Sequence, residues 1–168
     1  MPDPDSTLQD FKVQEGGFAG ERNHPFNADQ ISGDFTAIVT RTSPTTLTLQ
    51  AQVNFGSFYS GGAAVPSQLN GHPAGYGMYA LFSATWQVVG GAPFHAAGGE
   101  LHWYIDPDQN TSFSRNDAQP YAAVGNADDV EIASCNLLES GVASTDNFEL
   151  CFADFTLTPA GSDYFVAP

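Results

Sequence analysis

The chain has 168 residues, enough for one domain that buries roughly 70% of the surface exposed by its unfolded form. Four Lys and Arg against 19 Asp and Glu give a formal net charge of −15, which repels phosphate backbones and anionic headgroups and excludes nucleic acid as a partner. With 42% hydrophobic residues, 13 Phe and only 14% charged residues the chain is composed to fold, and no apolar run approaches the roughly 20 residues of a membrane span.

Residues 1–27 carry Pro2, Pro4, Gly16, Gly17, Gly20 and Pro25 and read as an extended N-terminal arm, within which residues 8–13 can add an edge strand. Met1-Pro2-Asp3-Pro4-Asp5 has neither the basic start nor the apolar stretch of a signal peptide, so an exported protein is expected here in its mature form with an added Met. Residues 28–168 form the β-domain. Residues 35–41 are rich in strand formers. Residues 46–55 alternate strictly, with Leu47, Leu49, Ala51, Val53 and Phe55 on one face and Thr46, Thr48, Gln50, Gln52 and Asn54 on the other. Ser43-Pro44-Thr45 between them predicts a hairpin.

Residues 76–89 set Met78, Ala80, Phe82, Ala84, Trp86 and Val88 against Tyr79, Leu81, Ser83, Thr85 and Gln87, which predicts a central strand or a barrel wall. After Gly90-Gly91-Ala92-Pro93 comes a strand over residues 98–105, with Leu101, Trp103 and Ile105 opposite Glu100, His102 and Tyr104. Two more strands are predicted over residues 129–139 and 147–157. A turn centred near Ala143 sets Cys135 opposite Cys151, so a disulfide is expected, closing about 15 residues for roughly 3 kcal/mol. Two buried thiols are the alternative. No amphipathic helix is visible. Residues 163–168 are aromatic and β-prone and stop abruptly at Ala167-Pro168, so a final strand is either missing or pairs elsewhere. The fold expected is all-β, a single meander-rich antiparallel domain closed as a sandwich or a barrel.

Three constellations can carry chemistry. Asp106, Asp108, Asn110 and Ser112 offer oxygens at every second position of a tight loop, the spacing of a calcium loop, with Asp117 at the twelfth position. Thr111 stands where a calcium hand needs Gly, so a solvated Asp/Asn turn is the competing reading, and Asp128 and Asp129 can complete a site only if the fold returns them. Glu100, His102 and Tyr104 project from one face of one strand, an acid, a base and a phenol that in a barrel would line the lumen. On an open sheet that face meets water. A metal site at His95, Glu100 and His102 is conceivable, without the H-x-H spacing that seats two imidazoles together. Trp103 and Tyr104 are candidates for stacking on carbohydrate, against the plainer expectation that strand aromatics fill the core. There is no G-x-S-x-G elbow, phosphate-binding loop or dinucleotide fingerprint.

Four stretches carry a family resemblance: Val65-Pro-Ser-Gln-Leu-Asn-Gly71, Gly75-Tyr-Gly-Met-Tyr-Ala-Leu-Phe-Ser-Ala-Thr85, Tyr104-Ile-Asp-Pro-Asp-Gln-Asn-Thr-Ser112 and residues 152–168. In wording and order they resemble exported flocculation-associated bacterial proteins of the PEP-CTERM type. The chain ends before the Pro-Glu-Pro sorting tail that such proteins carry, as a processed product would. The resemblance implies an extracellular matrix or cell-surface protein that helps cells form flocs or biofilm by binding exopolysaccharide or by self-association, and no catalytic residues. A structural calcium ion fits the acidic composition. The alternatives are a small β-barrel cyclase or isomerase that uses Glu100, His102 and Tyr104 as polar anchors in an apolar lumen, and a carbohydrate-binding module.

Overall fold

The computed structural model describes residues 11–18, 24–71, 74–87, 95–114, 122–136, 138–143, 148–152 and 154–166. In chain order the elements are β1 (Phe11–Val13), β2 (Phe26–Ala28), β3 (Gln30–Ser43), β4 (Thr46–Ser60), β5 (Ala63–Val65), β6 (Gly77–Gln87), β7 (His95–Asp106), β8 (Ser112–Ser114), β9 (Ala122–Val124), β10 (Val130–Cys135), β11 (Leu138–Ala143), β12 (Phe148–Phe152), β13 (Thr156–Leu157), a short helix α1 (Pro159–Tyr164) and β14 (Phe165–Val166). The chain is all-β. Nine strands form one sheet along the path β12-β11-β7-β6-β4-β3, with β10, β13 and β5 attached, and every strand pair is antiparallel. Among the described residues β3 pairs with β4 alone. None of the described helices is long and apolar enough to cross a membrane.

Register turns the period-two pattern into two chemically distinct faces. Leu49 pairs with Ala84, Ala51 with Phe82 and with Ala37, and Phe82 with Leu101, so apolar side chains share one side across four strands. Their neighbours Gln50, Ser83 and Glu100 share the other side. One end of the apolar face is covered by the three-stranded sheet β14-β1-β2 and by α1. Val13, Ala28, Phe58, Tyr76, Ile105, Ile132 and Tyr164 form the core between these layers. A second buried cluster, Leu49, Ala51, Phe82, Ala84 and Trp86, continues along the same face.

Residues 11–15, expected within an extended arm, belong to this core. β1 is the central strand of the small sheet, not an edge, and the final strand β14 finds its partner there. Glu15, only 2% exposed, fixes the connection: its Oε1 accepts the Gln68 backbone N–H at 2.8 Å and the Tyr76 hydroxyl at 2.9 Å. The Tyr76 and Tyr164 hydroxyls meet at 2.5 Å, so one carboxylate ties the N-terminal segment to a loop and, through two phenols, to α1. Burial raises the pKa of both tyrosines, with the neighbouring Glu15 charge adding to the effect, so they act as hydrogen-bond partners in the neutral form.

Two expectations need correction. A helix is present: Thr158 caps it by accepting the Gly161 N–H on Oγ1 at 3.1 Å, and Pro159 supplies a preset first turn. A Cβ on Gly161 would lie 1.8 Å from the Ile132 carbonyl oxygen, so the absent side chain is what lets α1 rest on β10. The hairpin expected over residues 129–157 is broken into β10, β11, β12 and β13. Cys135 pairs with Leu101 of β7, whereas Cys151 pairs with Ser140 across an irregularity in register. The cysteines are therefore not cross-strand neighbours. No disulfide is present among the described residues; the Cys135 thiol donates to Asp154 Oδ1 at 2.8 Å, and the Cys151 side chain lies outside them.

Glu15→Ala removes the acceptor of the Gln68 N–H and of the Tyr76 hydroxyl, and an unmet buried donor costs about 1–3 kcal/mol. We expect urea unfolding to report a loss of about 2–4 kcal/mol, and Glu15→Gln, which keeps an acceptor, to lose less. Equal midpoints for wild type and Glu15→Ala would contradict the role given to this carboxylate.

Candidate functional site

The polar face meets water. Glu100, His102 and Tyr104 stand on it together, as their spacing on β7 requires, and β10 adds Glu131, which the sequence analysis did not single out. His102 Nδ1 and Glu131 Oε1 are 2.6 Å apart, and the two side chains are 35% and 37% exposed. Glu100 is exposed and accepts a hydrogen bond from Ser83 Oγ at 3.4 Å. Three rings run side by side, Tyr79 with Tyr104 at 5.1 Å between centroids and Tyr104 with His102 at 6.4 Å, both near parallel. Burial, followed by the negative charges of Glu131, Asp129 and Glu100, pushes the Tyr104 pKa up.

Trp103 lies on the opposite face. It stacks on Phe55 at 4.7 Å and packs against Phe165, so it cannot form one carbohydrate platform with Tyr104: adjacent residues of a strand point to opposite sides. The same parity separates the parts of a cyclase lumen. The apolar groove, about 630 Å³ and lined by residues such as Ile31, Val53, Phe55, Phe82, Leu101 and Trp103, is on the apolar face, while Glu100, His102 and Tyr104 are on the polar one. The His95 side chain lies outside the described set, so the His95, Glu100, His102 grouping lies outside it too.

Where β7 ends, the polar face gains a wall. Asp106, 5% exposed, folds the following loop around itself: Oδ1 accepts the Asn110 N–H at 3.2 Å and Oδ2 the Thr111 N–H at 2.9 Å. Gln109 adopts a left-handed φ of 53° in this turn, and its amide donates to the Gly71 carbonyl at 3.2 Å. The hairpin of β8 and β9 then returns the chain to its start. At the crossing Gly125 has φ +88°, and a Cβ there would sit 2.5 Å from the Asn110 carbonyl oxygen, so only glycine lets the strands pass this closely.

That return brings Asp128 and Asp129 to Asp106, and one carboxylate oxygen from each lies within 4.8 Å of the others. Asn110 Nδ2 donates to Asp128 Oδ1 at 3.4 Å; Thr111 Oγ1 donates to both oxygens of Asp129, at 3.0 and 2.9 Å, and the Tyr79 hydroxyl donates to Asp129 Oδ2. Asp128 Oδ2 is buried without a hydrogen-bond partner among the described residues. The grouping thus differs from the linear loop run: Asp106 is shared, Asn110 contributes its amide as a donor, Asp108 and Ser112 are exposed and outside the cluster, and Asp117 lies outside the described residues. Burial raises the Asp129 pKa, the charges of Asp106 and Asp128 add to this, and the hydroxyls of Tyr79 and Thr111 pull it back.

Beside the cluster, between this loop and the ends of β3, β4 and β6, is a polar concavity of about 390 Å³. Asp34, Asn54, Asn70, Gln109 and Thr111 line it with Asp106, and Tyr79, Phe113 and Phe55 border it; among the described residues no Lys or Arg contributes. The Asn70 amide donates to the Phe55 carbonyl at 2.9 Å, and Gln52 donates to Asn54 Oδ1 at 2.9 Å, so two of the lining amides are held in place.

Comparison with protein-family models, curated proteins and solved structures yields no match to this chain. The resemblance described above therefore rests on its four stretches alone.

A carboxyl whose folded pKa is raised contributes stability below its unfolded value, near 3.9, that is lost as pH rises through the folded value. In the presence of chelator, wild type should therefore lose stability relative to Asp129→Asn as pH rises from about 4 toward neutrality. Unfolding free energies measured across that range check this, and a difference that does not vary with pH, or that grows in favour of wild type, contradicts it.

Proposed function

We propose that the protein is an exported bacterial matrix or cell-surface protein that works by binding exopolysaccharide in the polar concavity at the end of β7. The composition of that concavity carries the reading. Sugar hydroxyls both donate and accept, and amides, carboxylates and a hydroxyl around aromatic rings match them group for group. The described lining has acids and no cation, which disfavours phosphate or sulfate substituents and suits a neutral sugar unit.

Calcium is the second part of the proposal. Asp106, Asp128 and Asp129 would hold the ion, which when bound supplies compensating charge and further oxygen coordination positions. The chain fits such an ion at one specific atom: Asp128 Oδ2 is a buried acceptor without a donor among the described residues, in a group of three carboxyl groups. Asp106 and Thr111 line the concavity and neighbour the acidic group at once, so an ion there would stiffen the wall against which a sugar rests.

Titration calorimetry with neutral glucan oligosaccharides and with uronate-rich oligosaccharides, each in calcium and in chelator, tests the first part. Neutral chains should bind more tightly, and Asn54→Ala or Thr111→Ala should weaken binding about tenfold, the effect of losing one hydrogen bond of about 1.4 kcal/mol. Absence of binding to either class, or binding indifferent to both substitutions, contradicts it. For the ion, thermal unfolding should shift upward with calcium, by about 2.7 kcal/mol at a hundredfold excess over Kd, and Asp128→Asn should abolish the shift. An identical shift in Asp128→Asn would place the ion elsewhere.

A further inference from the structure

The acidic group takes Asp106 from the loop after β7 and leaves Asp108, Asn110 and Ser112 outside it. These three side chains are exposed, and they alternate along a segment that passes from a turn into the first residue of β8. Asn110-Thr111-Ser112 has the spacing that N-linked glycosylation requires, an Asn with a hydroxyl two positions on and no Pro between. No other Asn of the chain is followed at that distance by Ser or Thr. Asp108 stands two positions before Asn110, where acceptor segments of bacterial transferases carry an acid.

The fold suits this segment to such handling. Asp106 accepts the backbone N–H groups of Asn110 and Thr111, so the turn is fixed while the Asn110 side chain stays in solvent. Among the described residues β8 and β9 pair only with each other, over three residues each, and so short a hairpin opens at little cost. The Asn110 amide has two N–H groups and gives one to Asp128 Oδ1 across 3.4 Å, so a sugar can replace the other hydrogen and leave that contact in place. Gln109 and Thr111 line the polar concavity and Asn110 between them does not, so a glycan would begin at its rim and leave it open. We propose that Asn110 is a site of N-linked glycosylation, the donor being an oligosaccharide carried on a polyprenyl diphosphate. In the transfer, Asn110 Nδ2 attacks the anomeric carbon of the donor and a C–N bond forms. The bond from that carbon to the diphosphate oxygen breaks, polyprenyl diphosphate leaves with the electron pair, and one amide proton passes to a base of the transferase. Amide resonance makes this nitrogen a poor nucleophile, so the step needs a transferase and does not run in the chain alone. The proposal rests on the export part of the reading above, because the transfer takes place outside the cytoplasm.

Peptide mass spectrometry tests it in two arms. In one, the purified chain is given a bacterial oligosaccharyltransferase with a polyprenyl-diphosphate-linked oligosaccharide, which probes the acceptor without depending on export. In the other, the protein is recovered from outside the cells that make it. Both should show one oligosaccharide on the peptide containing Asn110. With the purified chain, Asn110→Gln and Ser112→Ala should abolish transfer and Ser112→Thr, which keeps the hydroxyl, should retain it. Asp108→Asn should slow transfer at least about tenfold, the effect of losing one charge-assisted contact. All three positions are exposed, so the variants should keep the wild-type circular dichroism spectrum. The proposal is overturned by an unmodified Asn110 in the exported protein, by no transfer to the purified chain, or by transfer that Ser112→Ala leaves unchanged. Absence of the protein from outside the cells, with transfer to purified Asn110 intact, sinks the export reading and leaves the acceptor site standing. Calorimetry on the unglycosylated chain reads the concavity apart from both.

Discussion

Everything in this molecule depends on one geometric constraint: successive side chains of a strand point to opposite faces, and three adjoining strands, β4, β6 and β7, keep their apolar and polar residues in phase. A slip of one residue in any of them would place Phe82 or Leu101 among Ser83 and Glu100, so the burial that stabilises the sheet also specifies its register. Site chemistry inherits the same restriction. Groups that look adjacent in sequence, Trp103 and Tyr104, are kept apart by the sheet, while groups 27 residues apart, His102 and Asp129 among them, come to share a face or its end. His102 and Glu131, about one third exposed, stand open to water on that face.

Much of this architecture was legible in the chain because periodicity is a local signal. The β3–β4 hairpin, the long β6 and the two-sided β7 follow directly from alternation and from Ser43-Pro44-Thr45. What was not legible depends on contacts distant in sequence. Glu15 looks like a surface acid in a Gly-rich segment until Tyr76, Tyr164 and the Gln68 amide close around it. α1 escaped because six residues are too few to display a helical period, although Thr158-Pro159 is a cap followed by a first-turn proline. The cysteine pairing failed for a related reason: one uninterrupted hairpin was assumed, and β10 leaves it to pair with β7 and β13.

The acidic site shows the same division. Asp106 and the turn that follows were visible as a spacing of oxygens: Asp106 accepts two backbone N–H groups, as in an Asp/Asn turn, and its carboxyl group lies close to two others. The identity of the other two members, Asp128 and Asp129, required knowing that β8 and β9 form a hairpin and that Gly125 lets the returning chain pass within contact of Asn110. Charge is unevenly distributed: acids concentrate around the polar concavity, while β3 is locally neutral on a chain that is otherwise strongly negative.

Lysine substitution at two neighbouring positions of β6 tests the two-faced sheet most directly. Ser83→Lys places its ammonium on the polar face and should change the unfolding free energy by less than about 0.5 kcal/mol, whereas Ala84→Lys forces it into the buried cluster with Phe82 and Trp86 and should cost more than about 2 kcal/mol. Equal costs at the two positions, or the larger one at Ser83, would contradict the assignment of faces and everything built on it.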